Sequence, residues 1–131
     1  MKFTIPYPPS ANRIWRAVDG RVLLSAEGRG YHHRVNAALI DQHAAIGFVP
    51  GITKPPTFDW WFSIEIDAWM PDRRRRDIDN LAKPVLDALK AAGVYRDDSQ
   101  AVRLVATRRG FEPPNGRLVV TITQSEMEYL P

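Results

Sequence analysis

No cysteine occurs among the 131 residues, which removes disulfides, thiolate metal sites and a cysteine nucleophile together and fits a chain made for the reducing cytoplasm. Long apolar runs are missing as well. The greasiest stretch, WWFSIEIDAWM from Trp60 to Met70, carries Glu65 and Asp67 and cannot span a bilayer. The amino end, MKFTIPYPPS, meets Pro6 too soon to hold the apolar segment of a signal peptide. No membrane is therefore expected. Internal repeats and low-complexity linkers are absent too, and 44% apolar content over 131 residues reads as one domain, 1–131, with a single packed core. Histidine is scarce. His32, His33 and His43 lie on or near one predicted helix with no carboxylate pattern around them, which assigns them to surface or packing roles.

What is plentiful is arginine: it supplies 14 of the 18 cations in a chain of net charge +3. Its rigid donor fork matches phosphate oxygens two at a time, so the bias favours an anionic partner. The patterning predicts four strands and two helices. Lys2 to Ile5 is a first strand stopped by Pro6, followed by a Pro-rich loop ending in SANRIW. Apolar residues recur at helical intervals from about Tyr31 to Ile46, and Gly47 stops them. From Phe58 to Met70 the period is two: Phe58, Trp60, Phe62, Ile64, Ile66 and Ala68 face one way, and Asp59, Ser63, Glu65 and Asp67 the other. Alternating runs around Val102–Arg109 and Leu118–Thr123 flank the turn-rich GFEPPNG and are expected to pair as an antiparallel hairpin. The sum is an α+β fold, a mixed four-stranded sheet with two helices on one face.

The chemistry concentrates in PDRRRRDIDNLAKPVLDALKAAGVYRDDSQ, Pro71 to Gln100. Leu81, Val85, Leu86 and Leu89 make the apolar stripe of the second helix and Gly93 caps it. Pro84 delays the regular helix to about Lys83, with a bent lead-in from Asp79. On an extended segment Asp77 and Asp79 share a side, with Ile78 turned inward, so both carboxylates can reach one hard cation. If the helical turn has begun at Asp79, Lys83 stands over the same spot. Taken singly, an Asp-x-Asp pair is a common helix cap and an arginine run a solvated turn balanced by Asp72 and Asp77. Together, like-charged acids beside four arginines and a lysine at one element junction call for a divalent ion to relieve their repulsion. Trp60 and Trp61 read as strand residues. Trp15, between Arg13 and Arg16, is the better candidate for touching a partner.

The segments RDIDNLAKPVLDALKAAGVYRDDSQ and PPSANRIWR resemble the RusA family of Holliday-junction resolvases, small endonucleases of bacteria and their prophages. The resemblance implies catalytic and metal-holding acids at Asp77, Asp79 and Asp98, an essential lysine at Lys83, the motif arginine at Arg76 and a secondary acid at Asp97. It implies Mg²⁺, with Mn²⁺ as a substitute, paired symmetric nicks in a four-way DNA junction, and a homodimer. Arg73, Arg74, Arg75 and Arg76, with Asn12 and Arg16, are the expected DNA contacts. A helix from about Asn80 to Ala92 is roughly 20 Å long, and Val94 to Asp98 reach at most about 17 Å, so Asp98 meets its own Asp77 only by folding straight back. The alternative is Asp98 from a second subunit, and the sequence leaves both open. Rival functions are a non-catalytic nucleic-acid-binding module, a structural partner of a replication or phage complex, and a nuclease of other branched DNA.

Overall fold

The computed structural model describes residues 1–48 and 56–127; the start of the proline-rich stretch at Lys54 lies outside them. Four strands form the main sheet: β1 (Lys2–Ile5), β4 (Phe62–Met70), β5 (Ala101–Phe111) and β6 (Arg117–Gln124), in the order β1-β6-β4-β5. A separate two-stranded ribbon joins β2 (Trp15–Val18) to β3 (Arg21–Leu24). Helices α1 (Ala11–Ile14), α2 (Ala26–Asp41), α3 (His43–Ile46) and α4 (Ala82–Ala91) complete the description.

The period-two pattern holds in β4, where Phe62, Ile64, Ile66, Ala68 and Met70 are all buried. Its other face is polar and ion-paired: Glu65 meets Arg103 at 3.2 Å and Asp67 meets Arg109 at 2.8 Å. The strand begins four residues later than expected. Phe58 and Trp60 are held by Gln100, whose Nε2 donates to both their carbonyls, and Trp60 is 61% exposed. Phe58 keeps one backbone bond, its N–H donating to Val94 O at 2.9 Å in an isolated bridge beside Tyr95.

The expected β5–β6 hairpin does not form. β4 lies between them, antiparallel to β6 and parallel to β5. Strand, helix, strand is the order that yields a parallel neighbour, because α4 carries the chain back along the sheet before β5 starts. The link from Glu112 to Gly116 then crosses the end of β4: Glu112 N–H donates to Met70 O at 2.8 Å. Five residues suffice to straddle one strand, two spacings or about 10 Å. Gly116 sits at φ +69°, and a Cβ there would lie 2.7 Å from Trp69 O.

Helix α2 starts earlier than its apolar period suggests. Ser25 caps it, accepting from Gly28 N–H at 3.0 Å. Two glycines sit in its first turns; Gly28 is there for closeness, since a Cβ would meet Ile14 O at 2.6 Å and Leu24 Cδ1 at 2.7 Å. The β2–β3 ribbon that rests there escaped prediction, although its Asp19-Gly20 tip, with both φ positive, is a strong hairpin signal. Gly47 ends the helical stretch in the left-handed region as expected, but the single helix expected up to Ile46 is broken at Gln42 into α2 and α3.

Tyr31, Val35 and Leu39 of α2 and Val85, Ala88 and Leu89 of α4 join the inner face of the sheet in one core. Gln42 closes the free edge of β1: its side chain accepts from Thr4 N–H at 3.0 Å and donates to Thr4 O at 2.7 Å. Among the described residues no helix is long and apolar enough to cross a membrane.

Candidate active site

β4 ends at Met70, and the chain then runs through the arginines into a 3₁₀ turn, Ile78–Leu81, that feeds α4. Buried Leu81 and partly buried Ile78 pin this turn to the core, which leaves Asp77 and Asp79 outside, both exposed. The bent lead-in is therefore real. Pro84 falls in the first turn of α4, where its missing N–H costs no helical bond. Asp77 is extended, at φ −83° and ψ 132°, while Asp79 lies inside the turn rather than on an extended segment.

The acids of this region divide into two kinds. Asp72 takes Arg76 in a two-pronged pair and Arg74 N–H at 2.9 Å, and the Arg76 bond brings its carboxyl down to about 2. Asp97 bonds Lys90 at 2.8 Å and caps the next 3₁₀ turn, Asp98–Gln100; the Lys90 bond and then Ser99 lower it to about 2. The carboxylates of Asp77, Asp79 and Asp98 make no hydrogen bond or ion pair among the described residues, although their backbone carbonyls accept one each. Arginine neutralisation is thus spent on Asp72. The motif acids are left available.

The arginine run is split as well. Arg76 is half-buried against Asp72, with Tyr7 beneath it at 5.8 Å and Arg108 donating to its carbonyl. Arg73 covers the ring of Phe111 at 4.8 Å, and Arg74 and Arg75 point outward, exposed. A cleft of about 680 Å³ opens between the Tyr7–Arg13 loop and residues 71–81, with Arg13, Arg74, Arg75, Asp77 and Asn80 on its walls. Asn12 and Arg16 are exposed, on α1 and β2. Arg108 and Tyr7 went unnoticed in the sequence, because only the strand order and the turn over β4 bring them to Arg76.

Lys83 does not stand over Asp79. It pairs with Asp87, one turn further along α4, at 3.4 Å, and lies 5.3 Å from the ring of Trp15. Asp98 follows α4 while Asp79 precedes it, so the helix separates the two. Among the described residues no three carboxylates or imidazoles stand close enough to hold a metal ion. Asp77 and Asp79 are exposed hard oxygen donors two positions apart, of the kind a divalent cation takes, whereas Asp98 lies just before Ala101, which pairs with Phe62 at the opposite end of β4.

A sequence model described as Endodeoxyribonuclease RusA matches residues 6–123. The chain belongs to the RusA family. Its curated relatives include the crossover junction endodeoxyribonuclease RusA of Escherichia coli (strain K12), 42% identical over 121 residues and covering 92% of each chain. The enzyme of that name from Enterobacteria phage 82 is 41% identical over 121 residues, and that from Shigella sonnei (strain Ss046) 39% over 121, each again covering 92% of both chains. As a RusA endodeoxyribonuclease the chain hydrolyses phosphodiester bonds in DNA, and the arginine-lined cleft beside Asp77 has the charge such a substrate needs.

Proposed function

We propose that this RusA enzyme resolves four-way DNA junctions by paired symmetric nicks, using a divalent cation, Mg²⁺ with Mn²⁺ as substitute, held by Asp77, Asp79 and Asp98. One observation carries the reading: Asp77 lines a basic cleft and, like Asp79 and Asp98, keeps its carboxylate unpaired among the described residues, while Asp72 and Asp97 are neutralised. When bound, the cation polarises the scissile phosphate and makes its water a nucleophile near neutral pH. Asp77 and Asp79 fix its position against the cleft. Lys83 meets charge building on the phosphoryl oxygens, a task for a positioned cation and not for a titrating base. Arg73, Arg74 and Arg75, with Asn12 and Arg16, grip neighbouring phosphates, and Arg76, locked on Asp72, shapes the loop that presents them.

The separation of Asp98 from the other acids favours a homodimer in which Asp98 completes the site of the partner chain. Two such sites related by a two-fold axis suit a junction with the same symmetry. End-labelled four-way junction and linear duplex, each with Mg²⁺ or EDTA, test the class: paired nicks on the junction alone are expected, slowed about 1,000-fold or more in Asp79→Asn while junction binding persists. Equal cutting of linear duplex, or an unimpaired Asp79→Asn, refutes it. Mixed dimers of Asp77→Asn and Asp98→Asn chains test the sharing. One site per dimer should regain all its acids and nick; complete inactivity returns Asp98 to its own chain.

A further inference from the structure

Helices α2 and α4 meet at a polar contact that the nuclease reading leaves unused. Asp87 has a side chain only 18% exposed, and its Oδ2 is buried without a hydrogen bond. From α2, the Nε2 of His32 is likewise buried and without a hydrogen bond. Lys83 Nζ lies 3.4 Å from that same Oδ2, an ion-pair distance that falls short of hydrogen-bond geometry, and 5.3 Å from the Trp15 ring centroid, although the lysine side chain is 71% exposed. Buried polar atoms almost always find partners. Two left over at one helix contact, next to the lysine of the site, require a reason, and core packing would be better served by apolar side chains.

The geometry points to His32 and Asp87 as a positioning pair for Lys83, an assignment that rests on Lys83 belonging to the nuclease site. A neutral imidazole carrying its proton on Nε2 and turned onto this contact would donate to the buried carboxylate oxygen, a bond the side chains do not make as placed, and so keep Asp87 aimed. Burial lowers the pKa of His32, Asp87 draws it up and His33 lowers it, so the imidazole answers chiefly to its buried setting. Asp87 then holds the ammonium from below and the indole face of Trp15 holds it from the side. The lysine is kept off Asp77 and Asp79, which stay open to the cation, yet stands only four residues beyond Asp79, ready for a phosphate oxygen. Lys83 and Asp87 stand four residues apart on α4, and His32 comes from 51 positions before Lys83, across the α2–α4 contact.

The test uses full-length, Mg²⁺-supplied protein with Asp87→Asn, His32→Gln and His32→Leu. Single-turnover junction cleavage and junction Kd are measured, together with the ε-methylene resonances of ¹³C-labelled lysine, Lys83 being identified through Lys83→Arg. In Asp87→Asn the rate is expected to fall roughly 10- to 100-fold, the scale of a misplaced group, with Kd and Mg²⁺ requirement unchanged. The upfield displacement of Lys83 by the Trp15 ring should vanish while Lys2 stays put, which a merely damaged fold would not produce. His32→Gln, which restores an N–H near the Nε2 position, should behave as wild type, and His32→Leu as Asp87→Asn. A Lys83 resonance unmoved in Asp87→Asn overturns the pairing, as does a rate loss explained by a raised Mg²⁺ requirement, or His32→Leu equal to wild type. A Lys83→Ala enzyme cutting at the wild-type rate instead removes the lysine's role on which the pairing depends, so the two failures are told apart.

Discussion

Two glycines, two positions apart near the start of α2, should respond to alanine with opposite sign. By helix propensity alone either change stabilises, by about 1 kcal/mol in a helix interior. At Gly30 nothing opposes that gain: the added Cβ meets Arg34 Nη1 at 3.5 Å, an ordinary contact with the end of a flexible side chain. Gly30→Ala should therefore raise stability by roughly 0.5–1 kcal/mol. At Gly28 the Cβ would lie 2.6 Å from the backbone carbonyl of Ile14 and 2.7 Å from Leu24 Cδ1. A carbonyl tied to Ser25 N–H at 2.7 Å cannot retreat alone, so the β2–β3 ribbon must lift away from α2. Overpacking of this kind costs about 1–3 kcal/mol, more than the propensity gain. Gly28→Ala should thus lose a net ~1–2 kcal/mol. Urea unfolding at unchanged slope decides it, the midpoint shifting by the free-energy change divided by a slope of about 1–3 kcal/mol/M. The lifted ribbon carries Trp15 away from Lys83, and junction cleavage should slow in parallel. A Gly28→Ala protein more stable than wild type would refute the close approach and with it the placement of the ribbon.

Junction binding with the cation withheld should weaken as salt rises, and Arg74→Ala/Arg75→Ala should flatten the slope of log K against log[salt] by about 1.8, two phosphate contacts at about 0.9 each; Arg76→Lys should leave that slope nearly alone, since Arg76 is engaged with Asp72. Asp72 and Asp97 have folded-state values lowered to about 2. Their contribution is present above the ordinary carboxylate range near 4 and is lost as pH falls through about 2, because between those values the folded state binds fewer protons than the unfolded. Urea titrations between pH 5 and 2 should show that acid loss, and Asp72→Asn/Asp97→Asn should shallow it; a slope unchanged in the double variant would refute the pairings.

The candidate site was legible in the sequence as far as it is contiguous. The acids, Lys83 and the arginines occupy one segment at a strand-to-helix junction, where alternation, an apolar stripe and Pro84 mark each element locally. Partnerships were not readable. Arg76 chose Asp72 over Asp77, Lys83 chose Asp87 over Asp79, and both acids of each choice lie within a helical turn's reach, so only the local geometry could decide. His32 looked bland for another reason, since the carboxylate it is proposed to serve lies on another helix.

From the sequence alone came the α+β class, the bounds of β1, the inner face of β4, the motif acids and the family resemblance, because side-chain period and local capping are properties of neighbours along the chain. Tertiary structure alone decided that β4 separates β5 from β6, that Gly28 admits a ribbon against α2, and that Asp98 stands apart from Asp77 and Asp79. A period of two tells which face of a strand is buried but carries no label for the strand beside it, and that choice is made by long-range packing.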